Sequence, residues 1–306
     1  MEKHIPVLPE ISVLYILNNV NGNYFDATLG FGGHTKLLLD KLGIKASVVC
    51  TDKDIEAINY CKDKFKDDHR VSIYNASFTE IDKISKIEFI EKFDGILADL
   101  GVSSYQLDNK DSGFTYREDT YLDLRMDKST GISAADVLNT YKQDEIADIL
   151  FNYSEERKSR LIAKLIVEKR TITPITTTKQ LREIVEKVAP IEKSASSLSR
   201  VFQALRIYVN NELEDLKIFL EKAIELLKPG GRIAVISYHS LEDRIVKEVF
   251  KFAAKDCICP PNIPICVCNK KQTLKLVTKK PIIPDGDEVN KDRRSQSAKL
   301  RVAERV

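Results

Sequence analysis

The chain lacks any apolar run approaching the roughly 18 residues needed to span a bilayer, which argues against a membrane protein. Its N-terminus, MEKHIPVLPEISVLYIL, carries a glutamate and prolines where a secretory signal would need an unbroken apolar stretch. It has little charge of one sign: 48 Lys and Arg stand against 46 Asp and Glu, a net +2, so overall charge points to no particular partner. Its six cysteines are too few and too clustered for a disulfide framework. A cytoplasmic location with reduced thiols follows as the expectation. There are no internal repeats. What the chain does have is 306 residues, 43% of them hydrophobic and 31% charged. That suffices for two domains, or for one with a large insertion, and for a sizeable buried core.

The first hundred residues alternate strand and helix patterns. Asn23–Leu29, Ala46–Thr51, Val71–Asn75 and Phe93–Leu100 read as strands, and His34–Leu42 and Asp54–Phe65 as helices. Such alternation implies βαβ units and a parallel sheet with helices on both faces. From about Asp108 to Asn210 no convincing buried strand occurs. Helical segments take over at Gln143–Phe151, Glu155–Glu168 and Thr178–Val188, a stretch that is itself domain-sized. Alternation then resumes. Glu212–Leu227 reads as a helix ended by Lys228-Pro-Gly-Gly231, Arg232–Ser237 as a fifth strand, and Leu241–Ala253 as an amphipathic helix with Leu241, Ile245 and Val249 on its stripe. The tail from about Lys255 reads as irregular, with a last strand at Ala298–Val302. The domain expectation is therefore 1–107 with 211–306 as one domain and 108–210 as a helical insertion.

The strongest local signal is Asp26-Ala-Thr-Leu-Gly-Phe-Gly-Gly-His34, where a strand runs into glycines and a helix starts at once. Glycine permits the sharp turn and lets a ligand lie against main-chain N–H groups. The next strand ends at Asp52, 26 residues after Asp26, where a carboxylate can accept the hydroxyls of a ribose. A dinucleotide fingerprint needs a third glycine, and Thr35 stands in its place. The looser G-x-G-G loop with Asp52 fits S-adenosylmethionine better than a nicotinamide cofactor, and a plain tight turn with a solvated carboxylate is the bland alternative. Asp99 ends the fourth strand at the same end of the sheet as Asp26 and Asp52. It can serve a ligand there or cap the next helix.

These stretches belong to a longer pattern. His4-Ile-Pro-Val-Leu8, Asp26–His34, Asp94-Gly-Ile-Leu-Ala-Asp-Leu-Gly-Val-Ser-Ser104 continuing to Gln106-Leu-Asp108, Leu122-Asp-Leu-Arg-Met-Asp127, Phe202-Gln-Ala-Leu-Arg206, Pro229-Gly-Gly-Arg232, Ile236-Ser-Tyr-His-Ser-Leu-Glu-Asp-Arg244 and Ser297–Glu304 occur in order. Eight such motifs are far more specific than one. Together the chain resembles the RsmH (MraW) family, bacterial methyltransferases of the cytosine N4 amine in small-subunit ribosomal RNA. The resemblance implies a class I Rossmann-like methyltransferase dependent on S-adenosylmethionine, with an inserted all-helical domain. It implies a substrate at a decoding-site cytidine of 16S rRNA, within an assembled or nearly assembled small subunit.

By the same resemblance the cofactor contacts fall on Gly32, Gly33, His34, Asp52, Phe78, Asp99 and Gln106. Gly32 to His34 would form the loop at the methionine end, Asp52 would take the ribose and Phe78 would pack near the adenine. Asp99 and Gln106 would lie beside the methionine end and the incoming base. The sequence departs from the family pattern at Ser196-Ser-Leu-Ser-Arg200, where the family reads H-P-A-T-R, at Phe114-Thr-Tyr116, where it reads F-S-F, and at Tyr121-Leu-Asp-Leu-Arg-Met-Asp127, where it reads P-L-D-M-R-M-D. These departures lie in the insertion, so they bear on substrate contacts more than on cofactor binding.

The chemistry then asks for a hydrogen-bond acceptor at the amine. Asp99 is the first choice; His239 and Ser240, just past the fifth strand, are second, with a structural histidine as the alternative. If Arg200–Asn211 is helical, Gln203, Arg206 and Asn210 share a polar stripe that could contact RNA or stay solvated, with Val201, Leu205 and Tyr208 opposite. Residues 269–301 hold ten Lys and Arg against four acids, net +6, which leaves −4 for the remainder. That asymmetry points this segment at RNA, with a flexible solvated tail as the rival.

No metal ligand is assigned to the catalytic site. Cys257-x-Cys259-x6-Cys266-x-Cys268 stays open: four thiols can hold tetrahedral zinc, yet C-x-C is less usual than C-x2-C, and prolines lie between the pairs. Cys50 and Cys61 read as core residues. Rival functions are a NAD-type oxidoreductase, a non-catalytic RNA-binding or assembly factor on the same fold, and a methyltransferase of another nucleic acid such as DNA. The oligomeric state, with a homodimer as one option, stays open.

Overall fold

A computed structural model describes residues 6–101, 114–190, 192, 194–260 and 266–306. The chain divides into two compact units, Met1–Gly101 with Leu213–Val306, and Val102–Glu212. The insertion expected from sequence, 108–210, differs from the second unit by a few residues at each end.

The first unit is built on a seven-stranded sheet. Its strands are β1 (Asn23–Asp26), β2 (Ser47–Asp52), β3 (Val71–Asn75), β4 (Phe93–Asp99), β5 (Leu227–Ser237), β6 (Leu274–Leu276) and β7 (Lys299–Arg305). They lie in the order β3-β2-β1-β4-β5-β7-β6. The first five are mutually parallel, and β7 enters antiparallel between β5 and β6. The parallel strands bury both faces, and successive residues alternate between two apolar clusters. Phe25, Val49, Ile96, Ala98, Ile233 and Val235 face one cluster, and Tyr24, Val48, Cys50, Leu97, Ala234 and Ile236 the other. Helices α1 (Pro9–Ile16), α2 (Gly33–Lys41) and α3 (Ile55–Lys64) contribute to the second cluster, and α4 (Ile81–Ile87) to the first.

The second unit is helical. It holds α5 (Ala134–Thr140), α6 (Gln143–Asn152), α7 (Ser159–Arg170), α8 (Thr178–Val188) and α9 (Ser194–Val209). Their apolar stripes meet in a core of their own, including Leu138, Ile146, Ile162, Leu181, Val201 and Leu205. Among the described residues of this unit, β pairing is confined to one bridge, between Tyr121 and Thr177. Two helix starts are fixed by capping boxes, Ser133 with Asp136 at α5 and Thr177 with Gln180 at α8. The chain returns to the sheet unit through α10 (Glu212–Glu225), whose buried stripe is Leu216, Phe219, Leu220, Ala223 and Ile224. Helices α11 (Ser240–Ala253) and α12 (Gly286–Lys291) follow among the described residues.

The structure corrects three expectations. Lys228-Pro-Gly-Gly231 does not simply end a helix; it opens β5, with register jumping from Phe93↔Leu227 to Gly95↔Arg232. The extra residues are accommodated by Gly230 at φ +78 and by Gly231, whose absent side chain lets Phe93 and Asp94 carbonyls come close. On α11 the buried stripe is Val246, Phe250 and Ala253, one position beyond the expected one, with Ile245 and Val249 at its margin. The C-terminal segment forms β6 and α12 where an irregular tail is expected, and the last strand expected at Ala298–Val302 is present as β7. Among the described residues no helix is long and apolar enough to cross a membrane.

Candidate active site

The order β3-β2-β1-β4-β5 reverses direction between β1 and β4, and in open parallel sheets ligands settle at the carboxyl ends of strands beside such a switch. Three carboxylates stand there. Asp26 ends β1, Asp52 ends β2 and Asp99 ends β4.

The loop after β1 is held from several sides. Leu29 donates its N–H to the Thr51 carbonyl, and Ala27 to that of Leu97, so the turn grows out of the ladder. Gly30 lies at φ +49 with open space where a Cβ would project. Gly32 lies at φ +71 as the N-cap of α2, and a Cβ there would sit 2.6 Å from the Phe65 ring. A Cβ on Gly33 would meet Pro6 at 2.9 Å. Position 32 therefore needs glycine for conformation and space together. From outside, Lys64 Nζ donates to the carbonyls of Phe31 (2.9 Å) and Gly32 (3.3 Å). Thr35, where a dinucleotide fingerprint has glycine, donates its hydroxyl to Asp26 Oδ2 at 2.6 Å. Asp26 is thus a buried brace within the loop, and its pKa is raised by burial, against the lowering effect of Thr35.

Asp52 accepts the Gly30 N–H on Oδ2 and the Asp54 N–H on Oδ1, both at 2.8 Å. A carboxylate has about four acceptor positions, so two oxygens each keep a lone pair for hydroxyl donors. Burial lifts its pKa to about 6, opposed by those two N–H groups. Next to it, Ala76 N–H and the Asn75 side chain donate to the Asp52 carbonyl, which brings the turn after β3 alongside. Phe78 follows in that turn. Its ring packs tilted on Phe219 with centroids 5.0 Å apart, and Lys53 Nζ lies 6.0 Å from it.

Asp99 has the most elaborate surroundings. Its N–H donates to Thr28 Oγ1 at 2.6 Å, which ties β4 to the glycine loop. Oδ1 accepts the Tyr238 hydroxyl at 2.8 Å, and Oδ2 stands 3.8 Å from His34 Nδ1. His34 Nε2 is 3.0 Å from the Val7 carbonyl, which can only accept, so Nε2 carries a proton and Nδ1 is the nitrogen that faces Asp99. Burial raises the Asp99 pKa to about 6, with His34 and the Tyr238 hydroxyl pulling it down. The same contact and burial push the Tyr238 phenol well above its ordinary value.

Gly32, Gly33, His34, Asp52 and Asp99 are therefore gathered around one sheet end, with Phe78 beside Asp52. Gln106, with Ser103 and Ser104, lies outside the described residues. His239 and Ser240 sit where β5 gives way to α11. His239 is the N-cap: Nδ1 accepts the Glu242 N–H at 3.4 Å, while Glu242 Oε2 accepts the N–H of Tyr238 (2.9 Å) and His239 (3.3 Å). His239 Nε2 is buried 3.1 Å from Glu242 Oε1, off the line of a hydrogen bond. The cap orients Tyr238, and Tyr238 reaches Asp99. Sequence reasoning missed Tyr238, Thr28 and Lys64. Tyr238 was within sight, because it stands beside His239 in a motif of the resemblance.

In the helical unit, Arg206 and Asn210 have other work than the expected RNA stripe. Arg206 makes a paired contact to Glu212, Nε and Nη2 each at 2.9 Å. Asn210 accepts the Met126 N–H and donates to the Leu124 and Arg206 carbonyls. Both side chains are spent holding the 122–127 segment and the end of α9, where Leu124 takes φ +63. Gln203 shares their face of α9. Val201 and Leu205 are buried opposite, with Tyr208 at the margin.

A five-stranded parallel core extended by an antiparallel β7, a glycine loop after β1 and carboxylates at the tips of β2 and β4 define a Rossmann-like methyltransferase. The sequence relationships narrow the class. The chain belongs to the MraW methylase family, whose profile matches residues 1–306. It is 50% identical over 307 residues to the ribosomal RNA small subunit methyltransferase H of Caldicellulosiruptor saccharolyticus, covering 100% of both chains. The proteins of that name from Caldicellulosiruptor bescii and Fusobacterium nucleatum are 48% and 46% identical, over 100% and 99% of this chain and 100% and 97% of their own. The family expected from the sequence and the α/β fold with its helical second unit are both borne out.

Proposed function

We propose that the chain transfers a methyl group from S-adenosylmethionine to the exocyclic N4 amine of a cytidine in 16S rRNA, acting in the cytoplasm on the small ribosomal subunit. The observation that carries this reading is the acidic sheet end, with Asp52 and Asp99 at the tips of β2 and β4 on either side of β1, and no third glycine in the loop. A pyrophosphate would meet buried carboxylates there, whereas a cationic donor without phosphate is complementary to them.

The residues present fit that donor. Asp52 retains acceptor positions for a ribose. Gly32 and Gly33 keep the backbone free of side chains, and the Phe78 ring offers an apolar face beside Asp52. S-adenosylmethionine supplies a methyl group on a positively charged sulfonium. The residues then have separable tasks. Asp99 Oδ1 is occupied by Tyr238, so Oδ2 is the oxygen directed to an amine N–H. A cytosine amine is a poor nucleophile because its lone pair is delocalised into the ring. An acceptor on its N–H favours the pyramidal, attacking form, and holding the nitrogen in line supplies much of the rate. As nitrogen gains the methyl group it loses a proton, which Asp99 Oδ2 accepts. His34 stands on the other side of Asp99, and the His239–Glu242 cap holds the Tyr238 N–H. Gln106 is assigned as a cofactor contact and Gln203 on α9 as an RNA contact. The exposed Lys271, Lys275, Lys279 and Lys280, with the half-buried Lys270, supply phosphate contacts. The nucleotide must be unpaired or extruded to reach the site.

Nucleoside mass spectrometry on small subunits incubated with the protein and labelled S-adenosylmethionine tests this reading. Label in N4-methylcytidine from 16S rRNA is the expected result. Label in another base, in ribose or in DNA, or none at all, overturns the assignment.

A further inference from the structure

The sheet unit holds a second cluster of chemistry-bearing side chains that methyl transfer does not use. Between α11 and β6 the chain leaves the sheet. The base of this excursion is stitched by the Thr273 N–H donating to the Ala253 carbonyl at 2.9 Å. Its tip has no apolar support: Ile258 is 46% and Val267 69% exposed. Yet Cys257, Cys259, Cys266 and Cys268 converge there, with all four sulfurs within 4.8 Å of one another.

We propose that Cys257, Cys259, Cys266 and Cys268 bind one structural zinc ion. The sulfur separations carry the argument. Four ligands at a Zn–S length of about 2.3 Å in a tetrahedron have sulfurs about 3.8 Å apart. The separations are 3.5 Å for Cys257–Cys266, 3.9 Å for Cys259–Cys266, 3.5 Å for Cys266–Cys268 and 3.9 Å for Cys257–Cys268. A disulfide needs about 2.05 Å and pairs sulfurs two by two, whereas these four separations all lie between 3.5 and 3.9 Å.

The backbone around the cluster is arranged for thiolates. N–H groups of Ile258, Val267 and Cys259 donate to the sulfurs of Cys268, Cys259 and Cys257, each at 3.4 Å. Such hydrogen bonds orient metal-bound thiolates and spread their charge. The C-x-C spacing, unusual as it is, works because the two pairs face each other across the excursion, each pair closed by an N–H to a sulfur of its own or the opposite strand. Binding replaces thiol protons by Zn–S bonds, with the protons released to solvent and no change in oxidation state. Four protein ligands leave no open position, so the ion is structural. It does for this exposed tip what burial does for the rest of the unit, and it holds Lys270 and Lys271 at a fixed place.

The test uses the full chain, purified under reducing conditions after expression with zinc. Elemental analysis is expected to find about one zinc per chain. Replacement by cobalt is expected to give the visible and thiolate charge-transfer bands of a tetrahedral sulfur site. Cys257→Ser/Cys266→Ser is expected to lose metal and bands while its circular dichroism stays unchanged, since both positions are exposed. Chelation of the native chain is expected to open residues 257–268 to protease. A chain that takes up no zinc on reconstitution overturns the proposal, and so does zinc retained by the double variant. A metal-free chain whose intact mass is lowered by disulfide formation at these cysteines overturns it as well.

Discussion

Two places in the sheet unit gather groups of one kind, and they are held together by opposite means. At the tips of β1, β2 and β4 three carboxyls are kept in place by a buried ladder, a glycine turn and neutral hydrogen-bond donors. At the tip of the Cys257–Cys268 excursion the apolar residues described beside the four thiols, Ile258 and Val267, are exposed. The first is a site prepared by folding; burial raises the carboxyl pKa values, and that stored cost is what a cationic ligand relieves. The second is a site whose folding is completed by what binds it. A polar cluster in a sequence can therefore mean a reactive cleft or a missing piece of core. Burial of the surrounding backbone separates the two.

That contrast breaks most readily at Asp99. Asp99→Ala is expected to lower methyl transfer about 10³-fold, within the range for a lost acid–base group, while the protein stays folded. Single-turnover kinetics beside a thermal melt check it. Next comes Gly32→Ala, which forces a Cβ into the Phe65 ring at a left-handed backbone position. It is expected to destabilise the protein by about 2–3 kcal/mol and to weaken cofactor affinity, readable by denaturant unfolding and calorimetric titration. If Gly32→Ala melts normally, the loop is softer than its contacts imply.

Smaller effects sharpen the same comparison. Asp99 is largely buried, with a folded pKa near 6 against 3.8 unfolded. A raised carboxyl contributes stability that is present below the unfolded value and is lost as pH rises through about 6. Asp99→Asn removes this loss, so at neutral pH it is expected to stabilise the ligand-free protein by about 1–2 kcal/mol. Asp99→Asn less stable than the native chain across that window would contradict the account. His239→Ala removes a helix cap worth about 1 kcal/mol, and a fall of about 2–4 °C in melting temperature is expected. Its methyl transfer should drop less than about tenfold, because the ring acts through Tyr238. A loss equal to that of Asp99→Ala would make His239 a reacting group.

Much of this was legible in the residues. The four parallel strands before the insertion, the glycine turn and the strand-tip carboxylates are local features, set by β-branched runs and by glycines whose conformations few other residues share. Thr35 was legible only by subtraction, as the absent third glycine; its hydroxyl turns out to brace Asp26. β6 was not legible, since Leu274–Leu276 is three residues long and owes its strand to pairing with β7. The Lys228–Gly231 stretch carries a helix-ending signal that the register of β4 overrides. The roles of Arg206 and Asn210 were invisible because their partners, Glu212 and the 122–127 segment, are chosen by the tertiary structure and not by helical period.

The most direct test of the central claim is the pH dependence of single-turnover methyl transfer by the native chain and by Asp99→Asn. If Asp99 accepts the amine proton, the native rate falls as pH drops through about 6, and Asp99→Asn is slow and flat across that range. An Asp99→Asn chain that keeps both the native rate and the native pH limb would contradict the account.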